Sequence, residues 1–133
     1  MSIRAMIETH PQMEGGANDL LIACIEACFD CAQTCISCAD ACLAEDMVAE
    51  LRQCIRLNQD CADVCLATGK AAIRRTGRNV QVLQTIVEAC MRACAACGEE
   101  CGRHAEMHAH CRICAEACRA CEQACRQALT QIQ

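Results

Sequence analysis

The stretch that decides the fold is CIEACFDCAQTCISCADAC, residues 24–42, in which six cysteines recur at intervals of four, three, four, three and four. At about 100° per residue these positions fall along one line of an α-helix, whereas on a strand every three-residue step would change the face. The stretch therefore predicts a helix with a single stripe of sulfur atoms, repeating with the 3.5-residue period of a helix-bundle seam.

The same period recurs in three later segments, so the chain repeats a pattern rather than a sequence. The four segments supply six, three, four and five cysteines, and in the second segment Asn58 occupies a stripe position among thiols. The predicted helices span about 18–44, 46–75, 79–103 and 105–132. Their stripes carry Cys24, Cys28, Cys31, Cys35, Cys38 and Cys42, then Cys54, Cys61 and Cys65, then Cys90, Cys94, Cys97 and Cys101, and finally Cys111, Cys114, Cys118, Cys121 and Cys125.

Short polar segments separate these helices, among them GGAND at 15–19 and RTGRN at 75–79, where Gly77 suits a helix end. Short connections place consecutive helices antiparallel to each other. The sequence thus predicts an all-α fold, an antiparallel up-down-up-down four-helix bundle over 18–133 with its cysteines facing inward. Residues 1–17 form a separate N-terminal segment, expected as a short extra helix or as loose chain.

Composition narrows the class of protein further. Phe29 is the sole aromatic residue, so cysteine and alanine must fill most of the interior. A net charge of −5 argues against a nucleic-acid partner. The N-terminal residues resemble no secretion signal and charges interrupt the apolar runs, which predicts a cytoplasmic protein with no membrane span. In that reducing compartment, 18 thiols are expected to bind metal rather than to form disulfides.

The spacing and the charge of the thiols indicate which metal. Side chains three or four residues apart on a helix can converge on one ion, and an all-thiolate site selects soft metals such as Cu(I) or zinc. Isolated zinc sites with four thiolates would each carry a charge of −2 inside the bundle, whereas Cu(I) bridged by thiolates gives a neutral core at about one ion per cysteine. We therefore predict that the 18 cysteines bind many Cu(I) ions. Sequestration of zinc or heavy metals in general, and thiol redox buffering, remain alternatives.

Antiparallel packing also assigns the two ends of the bundle. One end gathers soft or nitrogen ligands, and we call it the mouth; it carries Met47, His104, Met107, His108 and His110. His104, His108 and His110 are candidate metal ligands through which ions enter and leave. The opposite, sealed end is apolar. The pattern allows two roles for Asn58. It could be a packing residue that sets the register of the helices, which we favour, or a weak metal ligand.

These stripes and the histidine-rich segment HAEMHAH at 104–110 resemble the bacterial copper storage proteins, in particular their cytosolic branch, which has no signal peptide. The resemblance covers about residues 18–132. It implies storage of many Cu(I) ions by inward cysteines without enzymatic turnover, and assembly of the bundles as a homotetramer. Copper itself, together with a copper chaperone or a small-molecule chelator that exchanges it, is the expected partner.

A bundle predicts a folded protein even without metal, in contrast to a metallothionein, which is disordered when empty. We expect the metal-free, fully reduced chain to give a strongly helical far-ultraviolet circular dichroism spectrum. A random-coil spectrum that becomes ordered only on addition of metal would contradict the bundle.

Overall fold

The part of the chain that the structure describes forms five α-helices and one 3₁₀ turn. A computed structural model describes residues 2–12 and 18–132, and those residues contain no β-strand. The all-α bundle with a short N-terminal helix is confirmed. The helices are α1 (Ser2–Glu8), α2 (Asp19–Leu43), α3 (Arg52–Ile73), α4 (Val80–Arg103) and α5 (Ala109–Leu129), and the 3₁₀ turn Val48–Leu51 leads into α3.

The four long helices pack as a closed ring. Helix α2 lies against α3 and α5, and α4 lies against the same two helices. Sulfur contacts show that neighbours run antiparallel: Cys24 near the start of α2 is 3.7 Å from Cys125 near the end of α5, whereas Cys42 at the end of α2 lies close to Cys111 at the start of α5. All four stripes consequently face one common axis.

Local polar signals determine where several helices begin and end. The Asn18 side chain caps α2, where its Oδ1 accepts hydrogen bonds from the backbone N–H groups of Leu20 and Leu21 at 3.1 and 3.2 Å. Gly77 has a φ of 74°, a left-handed conformation that suits glycine in the turn between α3 and α4. The helices expected at about 46–75 and 105–132 correspond to α3 and α5, which begin at Arg52 and Ala109.

The sealed end of the bundle is apolar. Ile22 and Ile25 of α2 and Val87 of α4 are buried there, and Ile7 of α1 joins the same core. An ion pair between Arg4 and Asp19, 2.8 Å long, attaches α1 to the first turn of α2. The core beyond the last cysteines is therefore closed by aliphatic side chains at this end.

Phe29 and Gly69 determine how closely α2 approaches α3. A Cβ atom placed on Gly69 would lie 2.8 Å from Cε2 of Phe29, closer than carbon atoms normally approach. The glycine is required because it lets the aromatic ring lie directly against the α3 backbone. The one aromatic side chain of the protein thus packs between two helices and lies away from the cysteine stripes.

By length and composition alone, α2 and α4 each contain a stretch apolar enough to cross a membrane. Charges do interrupt both helices, at Glu26 and Asp30 of α2 and at Glu88 and Arg92 of α4, although both stretches reach the length of a span. Their apolar character comes largely from cysteine, alanine and aliphatic residues, and in both helices the cysteines are buried inside the bundle. Core helices pass the same length and composition test, so these stretches are weak evidence for a membrane span.

Packing at the sealed end predicts a contrast between two isoleucines on α2. Ile22 is 1% exposed and Ile36 is 54% exposed. We expect Ile22→Ala to lower the free energy of unfolding by about 2–5 kcal/mol, because it leaves a cavity. The matched control Ile36→Ala removes the same atoms from the surface and should change it by no more than about 0.5 kcal/mol. Equal losses in chemical denaturation of the two variants would contradict this account of the core.

Candidate metal centre

The cysteine side chains form one continuous group along the bundle axis. All 18 are buried and none is in a disulfide. Every Sγ atom lies within 4.8 Å of at least one other. We call these 18 sulfur atoms the sulfur column. The stripes predicted from the sequence thus meet in the interior, where all four helices contribute.

Within the sulfur column, sulfurs from different helices converge in sets of four whose atoms lie within 4.8 Å of one another. Neighbouring sets share members, since Cys121, Cys31, Cys35 and Cys118 each belong to two of them. A closed tetrahedral zinc site needs four thiolates of its own, whereas a thiolate that bridges two ions can serve two sets. Five of these sets are Cys28, Cys90, Cys121 and Cys125; Cys31, Cys65, Cys94 and Cys121; Cys31, Cys35, Cys61 and Cys118; Cys35, Cys97, Cys114 and Cys118; and Cys38, Cys42, Cys54 and Cys111.

Asn58 lies inside the sulfur column at the stripe position where α3 has no cysteine. It is fully buried, and its Oδ1 accepts hydrogen bonds from the thiols of Cys97, Cys101 and Cys114 at 3.0, 3.4 and 3.2 Å. Its Nδ2 donates to Cys54 at 3.8 Å. The amide therefore connects α3, α4 and α5.

Two carboxylates hold the three histidines at the mouth. Glu45, in the turn after α2, contacts Nδ1 of His108 at 3.1 Å and Nε2 of His110 at 2.8 Å. Glu100 of α4 contacts Nε2 of His104 at 2.9 Å. Sequence reasoning singled out the histidines but missed both glutamates, because neither belongs to a periodic pattern and each pairing depends on the fold.

The predicted mouth residues do not all face the sulfur column. Nδ1 of His110 lies 3.5 Å from Cys38 and 3.6 Å from Cys111, so this imidazole directly adjoins the sulfurs. His108 stacks on His110 with ring centroids 5.3 Å apart. Met107, by contrast, is 65% exposed and extends into solvent, while Met47 is half-buried.

Burial keeps two of the thiols near the mouth, those of Cys42 and Cys111, protonated. Desolvation raises the pKa of Cys42 to about 11, and the neighbouring Cys54 acts in the same direction. Burial also raises the pKa of Cys111. Deeper in the column, hydrogen bonding with Cys121 raises the pKa of Cys94, and burial adds to the effect. At neutral pH these thiols are uncharged when no metal is bound.

Comparison with known proteins identifies a family for this arrangement. A family profile described as copper storage protein matches residues 17–130. The chain belongs to the copper storage protein family. A search of curated proteins gave no significant match.

Solved structures of copper storage proteins are similar to the chain over most of their length. The protein from Streptomyces lividans loaded with 10 copper equivalents is 51% identical, with a TM-score of 0.93, covering 96% of this chain and 98% of that one. A structure of copper loading to a cytosolic copper storage protein of the same organism, with five coppers, is 55% identical, with a TM-score of 0.83 and coverage of 84% and 93%. Metal-free copper storage protein 3 from Bacillus subtilis is 42% identical, with a TM-score of 0.69 and coverage of 79% and 94%.

The raised pKa of Cys42 predicts how the metal-free protein responds to alkaline pH. An unfolded thiol ionises near pH 9.0 and the folded one near pH 11, so the stability from keeping it neutral is complete below about pH 9. It is lost as the pH rises from about 9 to 11. We expect the midpoint of anaerobic thermal unfolding to fall across this window, and to fall less in Cys42→Ser, which has no ionisable group there. A constant midpoint, or an equal fall in both proteins, would contradict this.

Proposed function

We propose that this protein stores Cu(I), binding about one ion per cysteine in the sulfur column. The observation that carries the proposal is the sharing of sulfurs between neighbouring sets, together with membership of the copper storage protein family. Bridging thiolates let one sulfur serve two ions, which suits Cu(I) better than isolated zinc sites. The Bacillus and Streptomyces relatives that hold Cu(I) or copper support the choice of metal.

Charge balance gives the mechanism. Each entering Cu⁺ displaces a thiol proton, so one cation replaces another and the buried core remains neutral. No bond in a substrate is made or broken, and we expect storage and release without enzymatic turnover. The proposed ligands are the 18 cysteine thiolates of the sulfur column.

The mouth supplies the route for ions in this proposal. His104, His108 and His110 lie on the segment between α4 and α5, and His110 contacts both Cys38 and Cys111. Imidazoles there can take Cu(I) from a donor and pass it to the thiols nearest the mouth. The sealed end is closed instead by aliphatic side chains such as Ile22 and Val87.

The setting of the protein is part of the same proposal. A Streptomyces relative is described as cytosolic, which supports a cytoplasmic location here. Resemblance to the family suggests a homotetramer of bundles, and a copper chaperone or a small-molecule chelator as the partner that delivers and withdraws copper.

Anaerobic titration with Cu(I) against a competing chelator tests the proposal. We expect saturation near one ion per cysteine, because every thiol is within reach of a shared ion. Saturation at about four ions would instead indicate isolated sites of four thiolates, as zinc would form. Conversion of the thiols to disulfides in repeated reversible cycles, with weak metal binding, would support redox buffering instead.

Removal of single thiols refines that test. Cys118 belongs to two overlapping sets, and Cys118→Ser should lower the capacity by about one ion while leaving the helical content unchanged. The matched control Ser37→Ala alters an exposed hydroxyl on α2 and should keep the full capacity. An unchanged capacity in Cys118→Ser would show that the inner sulfurs do not bind copper.

A further inference from the structure

Glu45 contacts two imidazoles with one oxygen atom. It follows the end of α2 and lies across the mouth from α5, and its Oε2 is 3.1 Å from His108 Nδ1 and 2.8 Å from His110 Nε2. A carboxylate oxygen has two lone pairs, so it can accept both hydrogen bonds at once. The two rings stack nearly parallel, 17° apart, with Glu45 joining different nitrogens of each.

The charge state of Glu45 decides which nitrogens carry hydrogen. The Glu45 side chain is 32% exposed, and a carboxyl group in contact with water is ionised at neutral pH, so Glu45 can only accept hydrogen bonds. Both nitrogens that face it must therefore be protonated. Since a neutral imidazole carries one hydrogen, His108 holds it on Nδ1 and His110 holds it on Nε2.

The opposite nitrogens are then free to bind a cation. Nδ1 of His110 faces Cys38 and Cys111 at 3.5 and 3.6 Å. Nε2 of His108 is buried and has no hydrogen-bond partner among the described residues, and the side chain is only 9% exposed. A hydrogen on that buried nitrogen would have no acceptor among the described residues, which favours the tautomer with its hydrogen on Nδ1. The unpartnered lone pair is a place that a Cu⁺ ion can occupy.

We propose that Glu45 is a positioning residue that fixes His108 and His110 in opposite tautomers, so that Cu(I) meets first the Nε2 atom of His108 and then the Nδ1 atom of His110. This inference rests on the proposed storage function. The side-chain contacts of Glu45 are with the two imidazoles. Carboxylates that accept from the far nitrogen of a ligating histidine orient the ring and raise its basicity. Glu100 makes the same kind of contact with His104 at 2.9 Å.

Three variants separate orientation from charge. Glu45→Ala removes both hydrogen bonds. Glu45→Gln keeps a carbonyl oxygen that can accept both, but it has no charge. Asp46→Asn removes one negative charge from the next residue of the same turn, where the side chain is exposed, and leaves Glu45 in place. Any effect of mere electrostatic attraction should appear equally in Asp46→Asn.

The first readout needs no copper. Nitrogen-15 NMR of the imidazoles distinguishes a protonated nitrogen from one with a lone pair. In the metal-free wild type we expect hydrogen on Nδ1 of His108 and on Nε2 of His110, preserved in Glu45→Gln and Asp46→Asn and lost in Glu45→Ala. The same tautomer for both rings in the wild type would overturn the proposal whether or not the protein stores copper.

The second readout is the rate at which the first equivalent of Cu(I) binds in anaerobic stopped-flow measurements. We expect Glu45→Ala to slow this phase by about 10- to 100-fold, because loss of a carboxylate that orients a metal-binding histidine typically costs that much in metal affinity or activity. Glu45→Gln should keep most of the rate and Asp46→Asn all of it, with the final capacity equal in all four proteins. A wild-type rate in Glu45→Ala, or equal slowing in Asp46→Asn, would overturn the positioning role. A wild-type capacity far below one ion per cysteine would instead overturn the storage function.

Discussion

The rest of the structure depends on keeping the core electrically neutral, because that core is lined with ionisable cysteine thiols. Eighteen ionisable groups touch one another in the bundle interior, and water does not reach them. Ionising them without a counter-ion would carry a prohibitive electrostatic energy, so the empty protein holds thiols and a loaded protein would hold thiolates matched one to one with cations. This requirement explains why the helices rather than the metal build the fold, because the site must already exist before an ion arrives.

Neutral thiols also behave as small hydrophobic side chains, and this permits a folded core almost without aromatic residues. The four stripes bury their sulfurs against each other much as leucines do in an ordinary bundle. Asn58 is the exception, since a buried amide needs partners and finds them in four cysteines of three helices. Its contacts favour a role in setting the helix register, because they connect α3 to particular positions along α4 and α5. The same contacts also place its oxygen among three sulfurs.

The sequence predicted the parts of the structure that repeat. The alternation of three- and four-residue steps between Cys24 and Cys42 is a local signal that only a helix satisfies. The same spacing in the three later segments predicted that all four stripes face the bundle axis. The pairing of Glu45 with His108 and His110 left no such signal, because residues 63 and 65 positions apart meet only after α2 and α5 pack together. The late start of α3 was equally hidden, since the 3₁₀ turn Val48–Leu51 has the composition of an ordinary helix. Which cysteines and histidines bind copper stays a prediction, because contact between ligands is a precondition for binding and not the binding itself.

The near absence of aromatic residues also affects how the protein interacts with light. With Phe29 as the sole aromatic side chain and no Trp or Tyr, the metal-free chain is almost transparent in the near ultraviolet. Charge-transfer absorption from metal-bound thiolates, and any emission from thiolate-bridged ions, would therefore be measured with very little absorption or emission from the protein itself. Near-ultraviolet absorbance therefore measures how many metal ions the core holds, with almost no contribution from the chain itself.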